Sequence, residues 1–225
     1  MSAIIVMQGR LRSARLPGKG FFTFFGQTMW ERACDIARAV PGVEEVVFAT
    51  GDLPENFLMK PLVEAKGARF FAGSEDHVLQ RFCAAVENSR ADLVVRMTCD
   101  NYLMQPEFIA AVIAATEAAR ADYGFIEPLS HFAGEVIRRE CLLEEYGRGQ
   151  YSAAGREHVT WDIRHSPTLG KATLPADFGG VNHRAGLTLD NLEDLIQLKR
   201  LEQSHPALAQ VRCVGELREI CPVRP

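Results

Sequence analysis

Residues 3–20 have the sequence AIIVMQGRLRSARLPGKG, in which a short apolar run leads directly into a basic loop. The run at 3–8 has the length and composition of a buried strand, and Gly9 bounds it. Residues 9–20 contain four cations, and no acidic residue precedes Glu31. These cations are Arg10, Arg12, Arg15 and Lys19. Because the whole chain has a net charge of −4, one concentrated cationic loop favours a binding site for a polyanion.

Downstream of this loop, apolar runs alternate with stretches of helical periodicity. Strands are predicted at 45–50, 69–72, 92–98, 122–126 and 187–189. Helices are predicted at 28–39, 56–66, 74–89, 106–119, 139–146, 156–165 and 192–204. The first helix is expected to begin with a capping box between Thr28 and Glu31. The alternation predicts an α/β fold, with a Rossmann-like, mainly parallel sheet flanked by helices.

The length of 225 residues predicts a single domain, residues 1–225, in which 128–185 is an acceptor-side insertion or a dimerisation arm. Residues 131–151 are expected to form an extended segment followed by the helix at 139–146, in a mixed pattern that fits neither a core helix nor a core strand. No stretch of eighteen consecutive apolar residues predicts a membrane span. The net charge argues against a general nucleic-acid binder. The six cysteines lack zinc-ligand or CxxC spacing, which favours reduced thiols in a cytoplasmic protein.

The basic loop does not match the P-loop, the commonest phosphate-binding motif. That motif requires glycine where Ser13 stands and Ser or Thr where Gly20 stands. Guanidinium groups nevertheless bind phosphate oxygens bidentately, and lysine acts as a point charge. On charge alone, a solvated loop paired with surface carboxylates is an equally good interpretation.

Asp100 follows a predicted strand, as the basic loop does. Ligands of parallel sheets bind outside the carboxyl ends of the strands, so both features are expected at the binding edge. Taken individually, Asp100 could cap a turn, and Asp190 could be the N-cap of the helix at 192–204.

The segment QGRLRSARLPGK resembles the N-terminal signature of spore-coat-polysaccharide-type cytidylyltransferases, which are related to the 3-deoxy-manno-octulosonate and acylneuraminate cytidylyltransferases. The resemblance continues in the same order through VVFAT at 46–50, FAGSEDHVLQRF at 71–82, VVRMTCDNYLMQPEFI at 94–109, REHVT at 156–160 and LTLDNLEDL at 187–195. It implies the fold shared by nucleotidyltransferases and type-A glycosyltransferases. It also implies Mg²⁺-dependent transfer of CMP from CTP to an acidic sugar or related small acid. Pyrophosphate is released, and the product serves surface polysaccharide or glycan synthesis.

The same resemblance assigns roles to individual residues. The nucleotide-binding residues would be Gln8, Arg10, Arg12, Ser13, Arg15, Lys19, Ser74 and Asp100. Among these, catalysis would depend on Arg10, Arg15, Lys19 and Asp100. The magnesium ligands would be Asp100 and Asp190, and the acceptor-binding residues Arg156, Glu157 and His158. A homodimer is also implied. On the residues alone, Arg156 and Glu157 fit a surface ion pair, and His158 fits an ordinary helical residue.

The chain departs from the family pattern beside its charged residues. Arg12 stands where the family usually has glycine, and we expect it to be a fourth cation beside the triphosphate because no acid lies near it in sequence. The other replacements flank the two aspartates: Cys99, Asn101, Tyr102, Asn191 and Leu192. They leave two alternatives open. One is a sugar-nucleotide-dependent glycosyltransferase, although its DxD motif is not evident at 100–102; the other is a catalytically inactive nucleotide-binding homologue.

Overall fold

The computed structural model describes residues 2–183, 188–206 and 214–220. Its strands are β1 (Ala3–Gln8), β2 (Thr23–Phe24), β3 (Gln27–Thr28), β4 (Val43–Gly51), β5 (Arg69–Gly73), β6 (Leu93–Thr98), β7 (Tyr123–Ile126), β8 (Glu135–Arg138) and β9 (Lys171–Leu174). Its α-helices are α1 (Met29–Ala39), α2 (Lys60–Ala65), α3 (Val78–Val86), α4 (Pro106–Ala118), α5 (Arg139–Gly147), α6 (Ala153–His158), α7 (Trp161–His165), α8 (Leu192–Ser204) and α9 (Val214–Ile220). None of these helices is long and apolar enough to cross a membrane.

Seven strands form one sheet in the order β5-β4-β1-β6-β8-β7-β9. Strand β8 runs antiparallel to β6 and β7, and the other pairings in this sheet are parallel. The predicted mainly parallel sheet flanked by helices is therefore confirmed. Strands β2 and β3 form a separate antiparallel hairpin.

Strand β1 lies inside the sheet, between β4 and β6, and is buried on both of its faces. Ile5 and Met7 pack into one hydrophobic cluster, and Ile4 and Val6 pack into the other. A strand covered by helices on both sides has no solvent face, so its sequence is a continuous apolar run without alternation.

Several predicted boundaries needed correction. The helix predicted from Ser74 begins at Val78, because the His77 side chain caps it while the Ser74 hydroxyl accepts from the His77 N–H. The helix predicted at 156–165 is two helices, separated where Val159 has a φ of 53°. The helix predicted at 56–66 opens as a 3-10 turn, Pro54–Met59. Of the strand predicted at 187–189, Leu187 lies outside the described residues, and Thr188 makes only an isolated bridge to Asn101.

Residues 131–151 supply one strand of the main sheet. Strand β8 lies between β6 and β7, and both Val136 and Ile137 are fully buried. The expectation that this segment fits no core strand is wrong. A strand of four residues is too short for its periodicity to be recognised, and its pairing depends on neighbours that are distant in sequence.

The carboxyl ends of β1 and β6 bring the predicted site together. Gln8 and Thr98 are opposite each other in the parallel register, so the basic loop and Asp100 leave the sheet side by side. The Leu189 N–H donates to the Asp100 carbonyl oxygen at 2.8 Å, which brings the segment before α8 to the same edge.

Candidate active site

A cavity of about 630 Å³ opens where the basic loop meets the segments that follow β6 and precede α8. Both loop backbone and charged side chains line it, and this combination suits a polar anionic ligand. The residues of the loop that line the cavity are Gly9, Arg10, Leu11, Ser13, Ala14, Arg15, Lys19 and Gly20.

Lys19 joins the two predicted metal-binding aspartates. Its Nζ donates to Asp100 Oδ2 at 2.6 Å and to Asp190 Oδ1 at 2.9 Å. Burial by itself lowers the pKa of Lys19, but the charges and hydrogen bonds of Asp100 and Asp190 outweigh it, and the net pKa lies above its ordinary value. Two carboxylate oxygens that converge on one ammonium can also share another cation.

Asp190 has a second cationic neighbour, because Arg15 Nη2 lies 3.1 Å from Asp190 Oδ1. Burial raises the pKa of Asp190, but contacts with Lys19 and Arg15 outweigh this effect and leave the pKa below its ordinary value. The N-cap of α8 is Asn191, and the Asp194 carboxylate accepts from the N–H groups of both Asp190 and Asn191. The Asp190 side chain is therefore not the cap of α8, and it faces the cavity.

The basic loop is fixed by contacts at both of its ends. The Gly18 N–H donates to the Leu11 carbonyl oxygen at 2.9 Å, and Gly18 has a φ of 69°, a conformation that favours glycine. The Leu11 N–H donates to Asn56 Oδ1 at 3.0 Å. Asn56 is fully buried and also donates to Glu75 Oε2 at 3.1 Å. These contacts close the loop backbone into a compact turn, from which Arg10, Arg15 and Lys19 face the cavity.

Glu135 is the centre of a second charged cluster in the cavity wall. Its buried carboxylate accepts from the Thr160 hydroxyl at 2.8 Å and from the Tyr123 hydroxyl. The Arg96 guanidinium forms an ion pair with it, and Arg164 Nη1 lies 4.0 Å from Glu135 Oε1. Burial and the Glu135 charge raise the pKa of Tyr123, which therefore remains a hydrogen-bond donor.

Comparison with known proteins shows which family this chain belongs to. The chain matches the family model described as Cytidylyltransferase over residues 3–213. The chain belongs to the cytidylyltransferase family. It is 29% identical over 209 residues to the spore coat polysaccharide biosynthesis protein SpsF of Bacillus subtilis, a match that covers 89% of this chain and 86% of SpsF.

Solved structures show the same fold. A cytidylyltransferase from Leptospira borgpetersenii superposes with a TM-score of 0.75 at 20% identity, covering 95% of this chain and 98% of that one. A CMP:2-keto-3-deoxy-manno-octonic acid synthetase, solved in complex with CTP, superposes with a TM-score of 0.68 at 17% identity, covering 91% of this chain and 99% of that one. The chain is thus a nucleotidyltransferase by family, and its sheet is the one that cytidylyltransferases use.

Most residues singled out by the cytidylyltransferase resemblance line the cavity. They are Gln8, Arg10, Ser13, Arg15, Lys19, Asp100, Glu157, His158 and Asp190. Within this group, Arg10 also pairs with Glu75, with Nη1 at 3.4 Å from Oε1. Gln8 Oε1 accepts from Arg96 Nε at 2.8 Å, which links the loop to the Glu135 cluster.

The structure corrects the placement of Arg12. Its side chain is 70% exposed, is not part of the cavity wall and forms an ion pair with Glu55. The expectation of a fourth cation beside the triphosphate assumed that no acid was available to Arg12. The 3-10 turn at Pro54–Met59 supplies that acid from a distant part of the chain.

Ser74 and Arg156 also lie outside the cavity wall. The Ser74 hydroxyl is engaged at the start of α3, and the Ser74 carbonyl oxygen accepts from Arg81 Nη1 at 2.6 Å. The Arg156 guanidinium lies 5.5 Å from the centroid of the Tyr151 ring and is exposed. Both residues contribute to local structure here, since neither side chain reaches the cavity.

The sequence analysis assigned no role to the residues of the charged cluster around Glu135 and of the adjoining helix α7 that line the cavity: Arg96, Glu135, Thr160, Trp161 and Arg164. The sequence does contain a signal for Arg96, which is a charged residue inside the apolar strand LVVRMT. A cation in a buried strand needs a partner nearby. The partner, Glu135, could not be recognised without the pairing of β6 and β8.

Proposed function

We propose that this chain transfers CMP from CTP, with Mg²⁺, to an acidic sugar or a related small acid, and releases pyrophosphate for surface polysaccharide or glycan synthesis. The observation that carries the proposal is the convergence of Lys19, Asp100 and Asp190 beneath the basic loop. Their combined arrangement supplies both cationic groups for phosphate oxygens and carboxylates for a divalent cation.

The two aspartates suit magnesium. Their oxygens lie within 2.9 Å of a single ammonium, so they are close enough to share one ion. Among the described residues, no group of three or more His, Cys, Asp or Glu side chains could hold a metal ion. Magnesium commonly takes one or two protein carboxylates and completes its shell with water and substrate phosphates. When bound, it would neutralise negative charge on the triphosphate.

In this proposal the loop cations position the triphosphate. Arg10, Arg15 and Lys19 bind phosphate oxygens, and an acceptor oxygen attacks the α-phosphorus while pyrophosphate leaves. Positioning and charge neutralisation are sufficient for such a transfer, so no covalent nucleophile is needed. Cys99 is unsuited to that role, because burial raises the pKa of its thiol well above the ordinary value.

The two alternative functions are less well supported. A metal-binding DxD motif that begins at Asp100 would need its second acid at 102, but the chain has Tyr102 there, and its ring is buried against Phe24 and Phe25. An inactive homologue would have no physical requirement to retain Lys19, Asp100 and Asp190 together at the binding edge.

The test is pyrophosphate release, measured with Mg²⁺, each of four nucleoside triphosphates and a panel of acidic sugars. We expect release with CTP and at least one acid. CTP with Mg²⁺ should also raise the melting temperature more than ATP, GTP or UTP does, because a ligand that binds only the folded state stabilises it. Equal shifts for all four nucleotides would contradict the choice of CTP.

We also propose that the protein is a homodimer located in the cytoplasm. The family resemblance supports the dimer, and the four cysteines of the described residues, which are free and buried, support a reducing compartment. Sedimentation at micromolar concentration tests the dimer, and a monomer there would contradict it.

A further inference from the structure

The short helix α7 adds two side chains to the cavity wall that the proposed triphosphate site does not use. These are Trp161 and Arg164. They lie three residues apart and therefore on the same side of the helix. Between them, Ile163 is buried in the core and fixes the orientation of the helix.

Trp161 presents an aromatic surface to the cavity. The residue is 37% exposed, although tryptophans are usually more deeply buried. The ring centroid lies 4.4 Å from that of His165, and the Arg164 guanidinium is 5.2 Å from it. These two neighbours cover part of the indole and hold it in place, so its exposed remainder is a rigid apolar surface that a ligand can contact with little loss of conformational entropy.

Arg164 supplies a cation next to that platform. Its closest carboxylate oxygen, Glu135 Oε1, is 4.0 Å away and already accepts from Thr160 and Tyr123. The other Glu135 oxygen is paired with Arg96. The partly buried cluster thus contains two guanidinium groups and one carboxylate, an excess of one positive charge. Glu157, also in the wall, is exposed to solvent and offsets this charge only weakly.

Thr160 belongs both to the Glu135 cluster and to the segment at 156–160 that resembles the cytidylyltransferase family. The resemblance REHVT ends at Thr160, whose hydroxyl donates to Glu135 Oε1 at 2.8 Å. This contact fixes the start of α7 against β8. Trp161 and Arg164 therefore have their positions set by a buried anchor, and Glu135 is the positioning residue.

We propose that Trp161 and Arg164 select the acceptor, which is a small molecule with an anionic group for Arg164 and an apolar ring face for Trp161. The inference rests on the proposed function, because it concerns the second substrate of the same cavity. It assigns acceptor discrimination to α7, whereas nucleotide binding depends on the loop and the two aspartates.

The first test is kinetic. With the acid that gives the highest rate of pyrophosphate release, Arg164→Gln and Trp161→Ala should each raise the KM for the acid by about tenfold or more, the loss expected for one charge-assisted or stacking contact. The affinity for CTP with Mg²⁺ should stay within about twofold of the wild type. Arg148→Gln is the matched control, because Arg148 is an exposed arginine that does not line the cavity and pairs with Glu144 and Glu145. An unchanged KM in both α7 variants overturns the inference.

The second test is direct binding, and it does not require turnover. Wild-type protein and Arg164→Gln are titrated with 3-deoxy-manno-octulosonate, N-acetylneuraminate and glucuronate, and with their methyl esters, while tryptophan fluorescence is followed. We expect saturable quenching by at least one acid, weaker binding of its ester, and loss of that difference in Arg164→Gln. Equal binding of acid and ester, or no binding of any acid, overturns the inference.

The two proposals fail in different ways. If CTP neither shifts the melting temperature nor supports pyrophosphate release in the wild type, the proposed function fails. If CTP binding and release are normal while the α7 variants discriminate acid from ester as the wild type does, only the acceptor inference fails. Arg164→Lys should restore part of the discrimination, since it keeps the charge and loses the planar fork.

Discussion

Lys19 Nζ lies 2.6 Å from Asp100 Oδ2, although the two residues are 81 positions apart in the chain. The contact follows from the parallel pairing of β1 and β6, whose carboxyl ends are level at Gln8 and Thr98. Asp190 reaches the same ammonium from the segment before α8. One partly buried ion bridge therefore joins three distant parts of the chain at the sheet edge where α/β proteins bind their ligands.

Asp100→Asn and Asp190→Asn should each reduce turnover by about 100-fold or more while leaving the fold intact, since a metal-binding carboxylate supplies several kcal/mol of charge stabilisation. Pyrophosphate release at saturating magnesium measures the effect, and circular dichroism checks the fold. Asp35→Asn is the matched control, because Asp35 pairs with Lys66 and Gln27 away from the cavity. Near-native turnover in either test variant would remove that residue from the proposed metal site.

Arg12 and Arg15 form a matched pair within one loop. Arg15→Ala should weaken binding of CTP with magnesium by about tenfold or more, the effect of losing a charge-assisted contact to an anion. Arg12→Ala should change it by less than about threefold, because an exposed ion pair contributes about 0–1 kcal/mol. Calorimetric titration measures both affinities. If Arg12→Ala weakened binding as much as Arg15→Ala, the pairing of Arg12 with Glu55 would not persist in the nucleotide complex.

Asp194 should affect both stability and nucleotide binding. Asp194→Ala removes the carboxylate that holds the N–H groups of Asp190 and Asn191. Loss of this capping box should cost about 1 kcal/mol, or about 2–4 °C in melting temperature. Glu31→Ala removes the equivalent carboxylate of α1, which accepts from the Thr28 N–H, and should cost a similar amount. Only Asp194→Ala should also reduce the rise in melting temperature that CTP with magnesium produces. Thermal unfolding of both variants with and without the ligand measures this rise, and an equal reduction in both would contradict the prediction.

His183 should make the stability of the fold depend on pH. The imidazole is buried, where it bonds to Ser130 and to the Phe178 carbonyl oxygen, each at 2.9 Å. Burial lowers the pKa of His183, and the bond to Phe178 offsets this only in part. The unfolded chain therefore binds a proton more readily. The stability that the neutral His183 side chain contributes to the fold is therefore present above about pH 6.5. It is lost as the pH falls through the pKa of His183 in the folded state.

Urea unfolding at several pH values between about 5 and 7.5 tests this dependence around the ordinary histidine pKa. His183→Gln should be less stable at neutral pH and should lose less stability on acidification than the wild type. His205→Gln is the control, because His205 is exposed at the end of α8. An identical pH dependence in the wild type and His183→Gln would exclude His183 as the source.

Local signals accounted for the elements that were predicted well. The capping box of Thr28 and Glu31 is present at the start of α1, and Pro106 opens α4, because caps and first-turn prolines act within a few residues. The split between α6 and α7 was missed, since the positive φ of Val159 interrupts a stretch whose apolar periodicity continues.

The sequence by itself determined the α/β class, the buried strand β1, the basic loop, and the position of Asp100 after a strand at the binding edge. Each of these depends on periodicity, turn residues or a motif confined to a short stretch of chain. The partners of the charged side chains were decided only by the tertiary structure. Glu55 holds Arg12 outside the cavity, and Glu135 brings Arg164 into its wall. The physical reason is that an ion pair forms between whichever groups the packed strands and helices bring within about 4 Å, whatever their separation along the chain.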